Sequence, residues 1–166
     1  MLKLCLIQRR SYCNKYDLYE QSVQNVEFEV EFISKIFKKY NKSECITLRE
    51  DFCASAKISS AWIESNPDTV AYAIDLDDDI LRFAKKEFSA SLEKHQLSRI
   101  KLIKGNSLTK KTPEVDCVSA FNFSYWVFQD RGDLVKYFKN QFSKKFLKKS
   151  KIYVKFVVIF LYLNLN

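Results

Sequence analysis

A chain of 166 residues, 47% of them hydrophobic, is sized for one globular domain and has ample apolar material for a core. Only two glycines and two prolines are present, so the turns must be built largely from Asn, Asp, Ser and Lys. Five scattered cysteines without C-x-x-C spacing and the single histidine, His95, exclude a zinc-type cluster; no metal site is predicted, and a reduced intracellular protein fits best.

The formal charge of +8 is concentrated at one end. Lysines 136, 139, 144, 145, 148, 149, 151 and 155 follow Asp133 without an acid, leaving residues 1–133 net neutral. Such a run can attract nucleic acid through phosphate contacts, although lysines on an outer helix face are more often simply solvated. The apolar segment from Ile152 to Leu163 contains Lys155 and falls short of the about twenty residues a membrane span needs, so it is expected to be a buried strand. Residues 1–16 form an N-terminal extension with Lys3, Arg9, Arg10 and Lys15 and no acid. That allows a mitochondrial transit peptide, but the low serine content favours the cytoplasm.

In chain order, Val26, Val30, Ile33 and Phe37 predict an amphipathic helix over Asn25–Tyr40, with Phe28, Phe32, Ile36 and Tyr40 widening its apolar stripe. A strand from Cys45 ends in Arg49-Glu50-Asp51; a small-residue turn and a helix through Ile58, Ala61 and Trp62 follow. Val70 to Ile74 forms a second strand capped by Asp75. Asp77 then caps a helix carrying Ile80, Leu81, Ala84 and Phe88 inward. Strands are predicted at Ile100–Lys104 and Val115–Phe121. A last helix opens at Asp130, with Leu134, Phe138, Phe142 and Phe146 as its inner stripe. Alternating strands and helices predict an α/β, Rossmann-like, mostly parallel sheet with helices on both faces.

In such a sheet, ligands bind beyond the carboxyl ends of the strands where strand order reverses. Glu50 and Asp51 end the first strand, Asp75 ends the second, Asn106 follows the third and Asn122 follows the fourth, so polar groups gather on one edge. An acid at the second strand's tip can accept hydrogen bonds from both hydroxyls of a ribose. The blander alternative is that Asp75, Asp77, Asp78 and Asp79 merely make an acidic helix start.

Leu48-Arg49-Glu50-Asp51-Phe52-Cys53-Ala54-Ser55-Ala56 with Ala73-Ile74-Asp75-Leu76-Asp77 resembles a family of uncharacterised class I S-adenosylmethionine-dependent methyltransferases. Lys15-Tyr16-Asp17-Leu18-Tyr19-Glu20, Ser22-Val23-Gln24 and Ala120-Phe121-Asn122-Phe123-Ser124-Tyr125 extend the resemblance over residues 15–143. It implies one methyltransferase-like domain over residues 17–166, with S-adenosylmethionine as cofactor and an acceptor still to be identified. Cofactor contacts would come from Glu50, Asp51, Cys53, Ala54, Asp75, Leu76, Gly105 and Asn106. Glu50 or Asp51 would lie near the methionine end, Asp75 on the ribose and Asn106 by the adenine. Asn122, Tyr125 and Asp17 would lie on the acceptor side, where Asn122-Phe123-Ser124-Tyr125 is similar to an amine-gripping methyltransferase motif.

The chain also departs from this pattern. Phe52, Ala54 and Ala56 occupy the three aligned glycine positions, and Ala54 stands where the resembled family itself keeps glycine. Residues 144–166 match nothing in the family pattern, which reads as a truncation or altered frame that leaves the C-terminal strands missing or atypical. The departures keep a second reading in view, a catalytically inactive fragment or interaction module; a basic nucleic-acid-binding protein comes third.

Overall fold

The computed structural model describes residues 25–109, 112–121 and 124–143. The N-terminal extension, Asp17, Asn122, six of the eight terminal lysines and the strand candidate at Ile152 lie outside the described residues. Helix α1 (Val26–Asn41) starts where the Asn25 side chain accepts from the Phe28 amide at 3.3 Å, and it stops at Lys42 in left-handed conformation. Glu27 and Glu29 in its first turn and Lys38 and Lys39 in its last match the helix dipole. Strand β1 (Thr47–Asp51) leads through a tight loop into α2 (Lys57–Ser65) and β2 (Val70–Asp75). Helix α3 (Asp78–Ser91), the short α4 (Lys94–Leu97), β3 (Ile100–Lys104), β4 (Cys117–Ser119), a 3-10 turn (Ser124–Val127) and α5 (Arg131–Ser143) complete the order.

Among the described residues four strands form the sheet, all parallel, in the order β3-β2-β1-β4. Order reverses at β1, because β2 and β3 run to one side of it and β4 lies on the other. That is the topological switch point at which Rossmann-type sheets bind ligands. Side chains alternate along β1: Leu48 joins the core formed with α1 and α2, and Glu50 bonds Ser59 of α2. Arg49 and Asp51 face the other way, toward α5.

The apolar core sits on the α1–α3 face. Val30, Ile33 and Phe37 of α1 pack with Ile58, Trp62 and Ile63 of α2 over Leu48 and Ala71. Leu81, Ala84 and Phe88 of α3 pack over Ala73 beside Cys53 and Ala56. Burying a side chain of the size of Leu81 or Ile63 contributes on the order of 2 kcal/mol, so this face carries much of the stability.

Helix α5 differs from the helix expected over the same residues. Among its described side chains, Leu134 and Phe138 are half-buried and Tyr137, Asn140 and Gln141 are buried; the Phe142 side chain and Phe146 lie outside what is described. The cause lies on β1: Arg49 and Asp51 are buried as an ion pair, and the helix covering them must supply polar partners.

Candidate cofactor site

The loop joining β1 to α2 has an unusual backbone. Phe52, Ala54 and Ala56 all adopt positive φ, at 58°, 48° and 56°, so the three positions where glycine was expected do take the conformation that favours glycine. A Cβ in this region costs roughly 1–2 kcal/mol per residue, and the surroundings hold the loop against that cost. The Cys53 amide donates to the Ile74 carbonyl at 3.0 Å, the Ala56 amide to the Cys53 carbonyl at 2.7 Å, and the Ala54 amide to Asp75 Oδ2 at 2.9 Å.

Asp75 is thereby separated from its acidic neighbours. Its Oδ2 accepts from Ala54 and its Oδ1 from the Asp77 amide at 3.0 Å, which leaves each oxygen a further lone pair on a half-buried carboxylate. Asp77 is the cap of α3, accepting from the Asp79 amide at 2.8 Å, while Asp78 and Asp79 pair with Arg82. Three of these acids therefore serve the helix start, and Asp75 ties down the loop.

Glu50 and Asp51 are adjacent but do different work. Glu50 is 3% exposed, and its Oε2 accepts from the Ser59 amide at 2.9 Å and the Ser59 hydroxyl at 2.6 Å. It thus caps α2 from the end of β1, in place of Ala56, which has no side chain able to do so. Burial pushes its carboxyl up to about 8, against the pull of the Ser59 hydrogen bonds; Glu29 and Asp75 add like charge nearby. Burial likewise raises Glu29, in the first turn of α1, to about 7.

Asp51, fully buried, meets the Arg49 guanidinium as a fork, Nε to Oδ1 at 2.9 Å and Nη2 to Oδ2 at 3.1 Å. The Tyr137 hydroxyl donates to its Oδ2 at 2.8 Å. Arg49 also donates to Thr112 Oγ1, to the Pro113 carbonyl and to Gln141. Burial drives the Asp51 carboxyl up and Arg49 draws it back down.

Leu76 follows Asp75 with 62% of its surface exposed, an apolar face beside the acid. Across β3, the Gly105 amide donates to the Asp75 carbonyl at 2.9 Å. A Cβ at Gly105 would meet nothing nearer than 3.8 Å, so this glycine is not demanded by space. Exposed Asn106 folds its Oδ1 onto the Leu108 amide at 2.8 Å. Cys53 is buried under the loop with its thiol pushed well up by burial, so any ligand contact it makes is through its backbone. Tyr125 lies in the 3-10 turn, and its side chain is outside what is described.

The sequence reading passed over Tyr137, Phe128 and Gln141. The Phe52 ring lies 5.7 Å from Phe128 and 5.7 Å from Tyr137, which are 5.4 Å from each other. Helical spacing alone could not single out Tyr137; the buried pair in β1, which needs a polar partner, was the available signal. Among the described residues no group of three His, Cys, Asp or Glu is placed to hold a metal ion, and no helix is long and apolar enough to cross a membrane.

No protein-family model and no curated protein sequence matches this chain. Solved structures do. Streptomyces venezuelae DesVI superposes with TM-score 0.62 at 15% identity, over 81% of this chain and 52% of that one. CalS10, a SAM-bound amino pentose methyltransferase from Micromonospora echinaspora involved in calicheamicin biosynthesis, gives 0.60 at 12% identity over the same shares. The methyltransferase domain of bacterial CtHen1 gives 0.57 at 15% identity, over 72% of this chain and 61% of that domain. The chain thus spans roughly half to three fifths of each of these structures, and the Rossmann-like fold it shows is the one they share.

Proposed function

We propose that this chain binds S-adenosylmethionine along the carboxyl edge of its sheet and serves as a methyltransferase. The observation that carries this reading is the loop Phe52–Ala56, left-handed at alternate residues and tied by Ala54 to Asp75. Backbone of this kind is otherwise left to glycine and is kept where a ligand must approach closely. The methyltransferase structures that share the fold support it, CalS10 with SAM bound among them.

The residues fit the cofactor part by part. Two spare acceptor positions on Asp75 suit a ribose diol, and exposed Leu76 offers an apolar face for the adenine, with the Asn106 amide group at its edge. Glu50 would lie toward the methionine end, where its buried, protonated carboxyl offers a hydrogen bond rather than a counter-charge. Asp51 is committed to Arg49 and Tyr137, so its part is structural. The cofactor supplies an activated methyl on sulfonium, and the protein's share is to align it with the acceptor and exclude water. The acceptor side falls to the segment after β4, with Tyr125 and Asn122, and to Asp17.

Titration calorimetry of the full chain with S-adenosylmethionine and S-adenosylhomocysteine tests the reading. Micromolar binding is expected, weakened about a hundredfold or more by Asp75→Ala. A second reading, a relative that keeps the fold without the cofactor, is favoured by the Ala54 methyl at a glycine position. A folded chain that stays silent until Ala54→Gly restores binding would establish that second reading. Silence from both proteins would end the cofactor assignment.

A further inference from the structure

Tyr137 of helix α5 grips two consecutive residues, Asp51 and Phe52, in different ways. The Tyr137 hydroxyl donates to Asp51 at 2.8 Å, and the Tyr137 ring packs on Phe52, the first left-handed residue of the loop. Phe128 closes the cluster, meeting Phe52 edge-on at 83°. One turn further along α5, Gln141 donates to Asp51 and to the Ser107 carbonyl at 3.3 Å, and Asn140 donates to the Leu108 carbonyl. The helix therefore binds the ends of both β1 and β3. A phenylalanine has no backbone reason to sit at φ 58°, so something must hold it there. The packing of Phe52 against two rings, tilted on Tyr137 and edge-on to Phe128, is a contact able to do so.

We propose that Tyr137 is a positioning residue for the cofactor loop. By holding Asp51 with its hydroxyl and Phe52 with its ring, it fixes the left-handed backbone on which the Ala54–Asp75 hydrogen bond depends. The effect on cofactor affinity rests on the reading given above; the effect on the loop does not. Tyr137 acts through the loop, away from the reacting atoms.

Hydrogen exchange of the loop amides, paired with S-adenosylhomocysteine titration, tests this on the full chain as wild type, Tyr137→Leu and Tyr137→Phe. Tyr137→Leu should speed exchange across residues 51–56 about tenfold while leaving α1 and α3 unchanged, and should weaken binding about thirtyfold. Tyr137→Phe keeps the ring and should stay within about fivefold of wild type in affinity. Unchanged loop exchange in Tyr137→Leu, or a rise spread evenly over the molecule, overturns the proposal. Should Tyr137→Leu fail to fold, Phe128→Leu takes its place, with a loop-confined rise in exchange expected and an unchanged loop overturning it. If the wild type binds no S-adenosylhomocysteine, the cofactor reading fails and the exchange measurements alone decide the role of Tyr137.

Discussion

The two edges of the sheet are built on different terms. At the amino edge every device secures the fold. Asp116 Oδ2 accepts from the Ile46 and Thr47 amides and the Thr47 hydroxyl, at 3.1, 2.8 and 2.9 Å, clasping the start of β1 to that of β4. Arg99 donates to the carbonyls of Ile63, Asn66 and Thr69, gathering the end of α2 onto the start of β2. The left-handed residue on that side, Lys42, is an ordinary helix stop. At the carboxyl edge three non-glycine residues hold left-handed backbone, two carboxyls are raised by burial, and Leu76 and Trp126 stand exposed at 62% and 72%. A fold that saturates its polar groups so thoroughly at one end has no structural need for strain at the other. The contrast is what the proposed cofactor edge would require.

The largest expected effect concerns Glu50. Its folded pKa, about 8, stands above the ordinary 4.5, so the native state holds the extra proton between those values. The stability it contributes is full below pH 4.5 and is lost as pH rises through about 8, an amount on the order of 5 kcal/mol. Urea titrations from pH 5 to 9 should show this decline in the wild type and a much flatter profile in Glu50→Gln. Equal slopes would remove Glu50 from the strained edge.

A smaller effect is expected at the opposite edge. Asp116→Ala leaves the Ile46 and Thr47 amides without their acceptor and should cost about 2–3 kcal/mol in chemical denaturation. Its affinity for S-adenosylhomocysteine should match that of the wild type; a matching loss of affinity would mean that the two edges are not independent. The smallest effect is at the loop, where Ala54→Gly relieves left-handed strain at a half-buried site and should raise stability by about 1 kcal/mol. Ala56→Gly should come out near zero, because losing a buried methyl costs about 0.8 kcal/mol and offsets the same relief. If the two variants behaved alike, burial of Ala56 would not matter.

Much of this architecture was legible in the sequence because it obeys local rules. Residues Ile100–Lys104 form the strand that their pattern predicts, Asp77 caps its helix, and α1 runs within a residue of its expected bounds. The glycine positions at 52, 54 and 56 were legible as well, since the conformation belongs to the loop and persists without its usual residue. The polar face of α5 was not. Periodicity sorts residues by hydropathy and assigns Leu134 and Phe138 inward, whereas a buried ion pair 86 to 92 residues away decides which face turns in. Glu50 and Asp51 were equivalent candidates in one dimension; only the pleat of β1, which sends neighbours to opposite faces, tells them apart.

That same ion pair bears on how the chain comes together. Arg49 and Asp51 leave the ribosome well before Tyr137 and Gln141, and a buried charge pair short of its remaining partners is costly. Strands β1, β2 and β3 and the α1–α3 face can associate through contacts close in sequence, but the side of β1 that carries the pair can dry only when α5 arrives. Among the described elements, the α5 side of β1 is therefore the last to be completed. A nascent chain released before residue 141 would hold a formed apolar face behind a wet, unfinished one.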